Sequence, residues 1–308
     1  MKIAIIGAGA MGSLFACLLK NSDVSLYDVN PAAVAHIREN GILLKEPDGS
    51  EIRRRPPIFF SGENGGPQDL VILFVKDTAG DAALRANLGL IGGDTLLLSL
   101  QNGMGNYEIM RKYVPENHIL LGTTRHNCVT EAPGVIYHSG AGVTQIGSPS
   151  GDDMLCESVR KALDSDSLEV VACGDVKRLL WTKLMLNMTS NPITALLDCT
   201  LGFHGENPHM RRITEILVDE AVAVAAADGV KLDTDGVLTS IAATSHAVST
   251  GYTSMCQDIR AGRHTEIDFI NGSVVRLGKK YGIPTPCHEL VVNLIHARED
   301  LDDMKKSK

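Results

Sequence analysis

Residues 2–12 read K-I-A-I-I-G-A-G-A-M-G, an apolar run that ends in three glycines, Gly7, Gly9 and Gly12. Lys2 to Ile6 has the composition of a short buried strand, and Ala10 to Lys20 that of a helix. A G-x-G-x-x-G placed between strand and helix is built to receive a pyrophosphate. Gly7 permits the tight turn, Gly9 lets the phosphates approach bare backbone, and Gly12 lets the helix lie close to the sheet. The anion then meets the free N–H groups at the helix N-terminus. Asp28 stands 21 positions after Gly7, just past a second apolar segment, Val24 to Tyr27. A carboxylate there accepts hydrogen bonds from both ribose hydroxyls and repels a 2′-phosphate, which favours NAD(H) over NADP(H).

The same segment has a competing reading. Ile3 to Leu19 is a run of 17 residues without a charge, bracketed by Lys2 and Lys20, so hydropathy alone allows an export signal or a short membrane anchor. Seventeen residues is the lower edge of a span, and each of the three glycines costs a helix about 1 kcal/mol. A buried strand, a phosphate loop and a packed helix account for the missing charge without a membrane.

Outward from this segment, strands and helices alternate. Pro31 to Asn40 reads as a helix capped by Asn30. Ile42 to Phe60 reads as a β-excursion, and Leu70 to Val75 and Thr95 to Leu100 as central parallel strands covered on both faces. After Cys173 helical spacing takes over, in Val176 to Leu197, Met210 to Ala227, Leu238 to Val248 and Phe269 to Tyr281. The expected fold class is α/β: an N-terminal Rossmann dinucleotide-binding domain over residues 1–172 and an all-helical C-terminal domain over 173–308. The end, Glu299 to Lys308, reads as a solvated, fraying tail.

Composition excludes several functions. The 308 residues carry 29 Lys and Arg against 37 Asp and Glu, a net charge of −8, and aromatics make up only 4%. No nucleic-acid partner is expected of such a surface. Seven cysteines with no C-x-x-C pair suit reduced thiols in a cytoplasm. His204 and His209 lie five apart with no H-E-x-x-H anywhere, so no metal site is expected.

Two constellations in the helical half carry chemistry. Lys183, Asn187 and Asn191 recur at i, i+4 and i+8 among Leu184, Met185, Leu186 and Met188, a polar stripe on an apolar helix. Such groups are costly to bury unless a polar ligand fills their hydrogen-bonding capacity; the plain alternative is a solvated lysine with asparagines at helix ends. Pro192 removes one backbone hydrogen bond beside Asn191. In the second, Gly262 ends one helix, and Thr265 with Asp268 resembles a capping box for the next. Glu266 then falls in a first helical turn, where the dipole favours its ionised form, and a surface role would explain it equally well.

Over nearly its whole length the sequence resembles the ketopantoate reductase (2-dehydropantoate 2-reductase) family. The resemblance rests on G-A-G-A-M-G at 7–12, V-K at 75–76, Q-N-G-M-G at 101–105, W-T-K-L-M-L-N-M-T-S-N-P-I-T-A at 181–195 and S-M-C-Q-D-I-R-A-G-R-H-T-E-I-D-F-I-N-G at 254–272. It implies a Rossmann domain followed by a helical domain, and hydride transfer from a dihydronicotinamide to a 2-oxo acid. Lys183 would be the general acid and Glu266 the residue that orients substrate, with Asn102, Asn187, Asn191 and Ser254 binding it. The implied cofactor set is Gly7, Ala8, Gly9, Ala10, Met11, Gly12, Asp28, Lys76, Asn102 and Cys128.

Two residues depart from the family pattern. Leu201 stands where members often carry Asn, which leaves room for a different 2-oxo acid. Asp28 stands where well-known members that use NADPH carry a basic residue nearby, so NADH is expected, with NADPH the alternative. A homodimer is expected by analogy. The rival readings are a reductase of another branched or opine-like 2-oxo acid, and a non-catalytic dinucleotide-binding redox sensor.

Overall fold

The computed structural model describes residues 1–306 except Asn64 and Asp166. Two compact units divide the chain: residues 1–101 with 106–179, and residues 102–105 with those from Leu180 onward.

The first unit contains β1 (Lys2–Ile6), α1 (Ala10–Leu18), β2 (Asp23–Asp28), α2 (Pro31–Asn40), β3 (Ile42–Lys45), β4 (Glu51–Arg54), β5 (Ile58–Phe60) and β6 (Leu70–Leu73). It continues with α3 (Gly80–Ala86), β7 (Leu96–Ser99), α4 (Asn106–Met110), β8 (Ile119–Thr124), β9 (Asn127–Ala132), β10 (Val135–Gly140), β11 (Thr144–Gly147), α5 (Asp153–Leu163) and β12 (Val170–Ala172). The large sheet has the order β12-β11-β8-β7-β6-β1-β2-β5, parallel at every pairing except β11 with β8. β1 and β6 are buried on both faces, as their unbroken apolar sequences require. The chain turns to opposite sides of the sheet after these two strands, so their C-terminal ends flank the switch point where open α/β sheets bind ligands.

The excursion at residues 42–60 divides between two sheets. β5 joins the large sheet, while β3 and β4 form a second one of order β4-β3-β10-β9. α1 packs on β1 and β2 and also on β3, β4, β9 and β10. Every residue from Gly12 to Leu18 is therefore buried, and the charge-free run from Ile3 to Leu19 follows from a helix enclosed by two sheets. Among the described residues no helix is long and apolar enough to cross a membrane.

A buried imidazole chain runs behind α1. His138 Nδ1 lies 2.9 Å from the Glu46 carboxylate, and its Nε2 lies 2.9 Å from His126 Nδ1. His126 Nε2 is buried with no hydrogen-bond partner, its ring edge-on to Phe15 of α1. Protonation would place an unpaired N–H on that atom. Burial, with the neighbouring His138, pushes His126 down to about 4 against the opposing pull of Glu46.

The second unit includes most of α6 (Val176–Leu197) and all of α7 (Leu201–Glu206), α8 (Pro208–Ala227), α9 (Thr234–Ala247), α10 (Ser254–Arg260), α11 (Asn271–Tyr281) and α12 (Pro286–Lys306). Trp181, Leu184, Met185 and Met188 of α6 anchor its core. The buried Asp228 accepts from the indole of Trp181 at 3.0 Å and the hydroxyl of Tyr281 at 2.6 Å. The expected fraying tail is instead helical to Lys306, residues 307–308 lying outside the described ones, because Glu299 is buried and bonded.

An unfolded histidine titrates near about 6.5, so below that pH the unfolded chain binds a proton that folded His126 refuses. Stability should fall as pH drops from about 6.5 to about 4. Unfolding midpoints across this range should be less steeply pH-dependent in His126→Gln than in wild type; equal slopes would show that the imidazole chain does not set acid stability.

Candidate active site

Of the residues expected to hold a cofactor, all but Asn102 fall in the first unit. Gly7 has a φ of +105°, and a Cβ there would lie 2.8 Å from the backbone of Phe74 and Val75 at the end of β6. A Cβ on Gly12 would lie 1.8 Å from the Gly7 carbonyl oxygen, so α1 can lie this close to the loop only because residue 12 is glycine. Gly9 is exposed, with nothing within 4 Å of an added Cβ. No side chain caps α1, whose first amides, those of Ala10, Met11 and Gly12, have no helical acceptor. An open backbone ending in uncapped amides fits a diphosphate.

Asp28 ends β2 and is fixed to this loop. One carboxylate oxygen accepts from Ala8 N at 2.6 Å and the other from Asn30 N at 2.7 Å. Each oxygen keeps a lone pair for a ribose hydroxyl. Asn30 is occupied as the cap of α2. Cys128, on β9, places its sulfur 3.2 Å from that of Met11, and burial pushes its thiol up to about 12, so it contacts the loop as an apolar group. Lys76 is half-buried, three residues past β6.

The residues expected to bind substrate all fall in the second unit. Lys183 and Asn187 are half-buried and Asn191 is buried, on successive turns of α6. The hydroxyls of Thr189, Ser190 and Thr194 donate back to α6 carbonyls at 2.7–2.9 Å. Thr194 also meets the Thr253 hydroxyl at 2.8 Å. Thr253 accepts from Cys256 N at 3.2 Å and so caps α10, whose first residue is the exposed Ser254. The far end of α10 is held by an ion pair between Arg260 and Asp198, a residue with φ +52° just beyond α6.

Glu266 is not in a first helical turn, and the capping box is not formed. Thr265 N donates to Glu299 Oε1 at 2.7 Å, the bond that Asp268 would have accepted, while Asp268 engages His296 at 3.1 Å. With that amide taken by α12, the helix starts only at Asn271. Glu266 sits in a tight turn whose carbonyl accepts from Phe269 N and Ile270 N. Burial pushes the Glu299 carboxyl up, but hydrogen bonds from Thr265 and His296 outweigh it and hold the group below its ordinary range.

The loop of Asn102 docks on this turn. Met104 N donates to Phe269 O at 2.8 Å, and Gly103, at φ +79°, lies against the same carbonyl. The structure thus ties Ser254, the Glu266 turn and the Asn102 loop to one scaffold based on α6. Asn102 groups with these residues, whereas the other nine residues of the expected cofactor set lie in the first unit. Sequence reasoning missed Thr253, Asn271 and Glu299. Only Asn271, whose Nδ2 donates to the Met188 carbonyl at 3.0 Å, had an indirect signal, since Pro192 cannot give that carbonyl its i+4 donor. His204 is enclosed by Thr189 O, Thr214 and Ser245.

Comparison with known proteins gives a consistent result. The family model "Ketopantoate reductase PanE/ApbA" matches residues 3–151, and "Ketopantoate reductase PanE/ApbA C terminal" matches residues 175–299. A 2-dehydropantoate 2-reductase of Streptococcus pyogenes is 34% identical over 304 residues, covering 97% of this chain and 98% of that protein. One from Halobacterium salinarum is 31% identical, covering 96% and 98%. Among solved structures, a D-mandelate dehydrogenase with NADH and anilino(oxo)acetate superposes with a TM-score of 0.94 at 32% identity, covering 98% of this chain and all of that one. A 2-dehydropantoate 2-reductase of Geobacter metallireducens gives 0.89 at 26% identity, covering 96% and 99%.

A Cβ at residue 103 would lie 2.2 Å from Phe269 O. Gly103→Ala should displace the Asn102 loop and lower kcat/KM by at least about 10-fold, the scale of a sub-ångström misplacement, with the fold retained. Steady-state kinetics beside a thermal melt checks this; unchanged kcat/KM would remove the loop from the site.

Proposed function

We propose, since this chain belongs to the ketopantoate reductase family, that it reduces the C2 carbonyl of 2-dehydropantoate to give (R)-pantoate, the step that serves pantothenate and coenzyme A synthesis. The observation that carries this reading is the Lys183, Asn187 and Asn191 stripe, held in one unit with Ser254, the Glu266 turn and the Asn102 loop. A bound dihydronicotinamide supplies the hydride that reaches C2. As charge develops on the carbonyl oxygen, the Lys183 ammonium stabilises it and passes a proton to it, leaving a neutral amine and a hydroxyl. Glu266 orients the substrate by accepting from a hydroxyl, and Asn102, Asn187, Asn191 and Ser254 fill its remaining hydrogen-bonding capacity.

Asp28, already fixed to Ala8 and Asn30, supports NADH as the cofactor, with NADPH the alternative. A second reading, reduction of a bulkier or less hydroxylated 2-oxo acid, is favoured by Leu201. This half-buried apolar residue is tied through its N–H to Gly251 O, three residues before Ser254. The D-mandelate dehydrogenase likeness supports the same alternative. The seven unpaired cysteines support a cytoplasmic location.

The homodimer reading rests on α12. Leu290, Leu294, Ala297, Leu301 and Met304 are all exposed and follow the 4-3-4-3 spacing of a heptad seam. In parallel pairing with a second copy, Asp300 and Lys305 occupy the flanking positions that meet across the seam with opposite charge.

A steady-state assay with 2-dehydropantoate and a panel of 2-oxo acids, run with NADH and NADPH, tests substrate and cofactor together. Lys183→Ala should lower kcat by about 10²–10⁴-fold. Near-wild-type turnover in that variant would reject Lys183 as the acid, and cofactor binding without turnover on any 2-oxo acid would favour the sensor reading. Light scattering should give twice the chain mass for wild type and a single mass for Leu294→Glu/Leu301→Glu; a monomeric wild type would reject the seam.

A further inference from the structure

We propose that Asn271 is a positioning residue for this reaction: it clamps the Glu266 turn to α6 at the Met188 carbonyl, which Pro192 leaves without a helical donor. The inference rests on the proposed reductase reading for its kinetic consequence and on hydrogen bonds alone for the clamp.

α6 passes through Pro192 unbroken from Val176 to Leu197. Proline has no N–H, so the carbonyl four residues earlier, that of Met188, lacks its regular i+4 donor. Asn271 Nδ2 donates to it at 3.0 Å. The second hydrogen of the same nitrogen goes to His288 Nδ1 at 3.1 Å. His288 Nε2 donates to Leu217 O at 2.9 Å, which makes Nδ1 the acceptor and fixes which end of the amide faces Met188. Backbone amides of Cys287 and His288 in turn donate to the Glu220 carboxylate at 3.0 and 3.1 Å. Asn271 and His288 are fully buried.

Three features point beyond simple pairing of a carbonyl. Asn271 Oδ1 is itself buried with no hydrogen-bond partner among the described residues, so the arrangement satisfies one polar atom and leaves another unpaired. The clamp also has a short lever arm. Phe269 N and Ile270 N return to Glu266 O, and Gly272 N returns to Ile267 O at 2.9 Å, so residues 266–272 move as one turn. On the other side, Met188 adjoins Asn187 and lies three residues before Asn191. This hydrogen bond therefore links the turn that carries the carboxylate directly to the Lys183, Asn187 and Asn191 stripe.

The experiment compares wild type, Asn271→Ala, Pro192→Ala and the double variant. Alanine at 192 restores an N–H to the α6 ladder, so the Met188 carbonyl no longer depends on Asn271. Asn271→Ala should lower kcat by about 10- to 100-fold, leave the KM for dihydronicotinamide unchanged, and speed hydrogen exchange at the amides of residues 265–270. The double variant should recover the thermal stability lost in Asn271→Ala but not its kcat. If it recovers both, Asn271 only satisfies a carbonyl and the positioning role is overturned. Unchanged exchange at 265–270 in Asn271→Ala overturns the clamp whatever the substrate proves to be. Where Asn271→Ala alone does not fold, the double variant against Pro192→Ala supplies both comparisons. If wild type turns over no 2-oxo acid, the proposed function fails, and the exchange and melting arms still decide the clamp.

Discussion

A carbonyl stripped of its helical donor has to be paired from elsewhere, and in the second unit that carbonyl belongs to Met188, one residue after Asn187. Pro192 creates the vacancy in the hydrogen-bond ladder, and Asn271 fills it from a different part of the chain. The residues proposed to bind substrate arrive from four separate segments, and each segment is pinned by directional bonds. Thr194 and Thr253 fix the start of α10, Glu299 fixes Thr265, and Phe269 O fixes the Asn102 loop. Hydrogen bonds hold position more narrowly than apolar contacts do, which suits groups that must converge on one small molecule.

The first unit solves a related problem with absence instead of pairing. Gly12 brings α1 so close to the loop that no Cβ fits between them, Gly7 does the same for the loop and the chain after β6, and Gly9 leaves backbone bare. Because α1 is enclosed by both sheets, it carries no charge, and the positive end of its dipole is available to an anion. The residues on which a diphosphate would rest thus look, in hydropathy, like a membrane segment. Asp28 is held against the same loop by Ala8 N, so the carboxylate proposed to read the ribose and the loop proposed to hold the phosphates are mechanically joined.

The parts of this architecture legible from sequence are those governed by local pattern. Continuous apolar runs give β1, β6 and β7, the i, i+4, i+8 spacing places Lys183, Asn187 and Asn191 on successive turns of α6, and Asn30-Pro31 gives the start of α2. What local pattern misreads is what distant side chains decide. Thr265 and Asp268 have the spacing of a capping box, yet a buried carboxylate 34 residues away takes the amide. The charged end of the chain reads as frayed because its acidic and basic residues hide that Glu299 faces inward. The two-sheet division of residues 42–60 depends on β9 and β10, far along the chain. That the Asn102 loop groups with the helical unit depends on Phe269, whose carbonyl accepts from Met104 N, a pairing that sequence spacing does not reveal.

The central claim is that the α6 stripe and the Glu266 turn together hold a 2-oxo acid with its carbonyl oxygen at Lys183. A crystal structure with oxidised cofactor and pantoate tests it most directly. The expected result is the C2 hydroxyl within about 2.7–3.2 Å of Lys183 Nζ, with Asn187, Asn191 and Ser254 bonded to the ligand and Asn271 still on the Met188 carbonyl. A ligand whose hydroxyl meets a different donor, with Lys183 turned away from it, would contradict the claim.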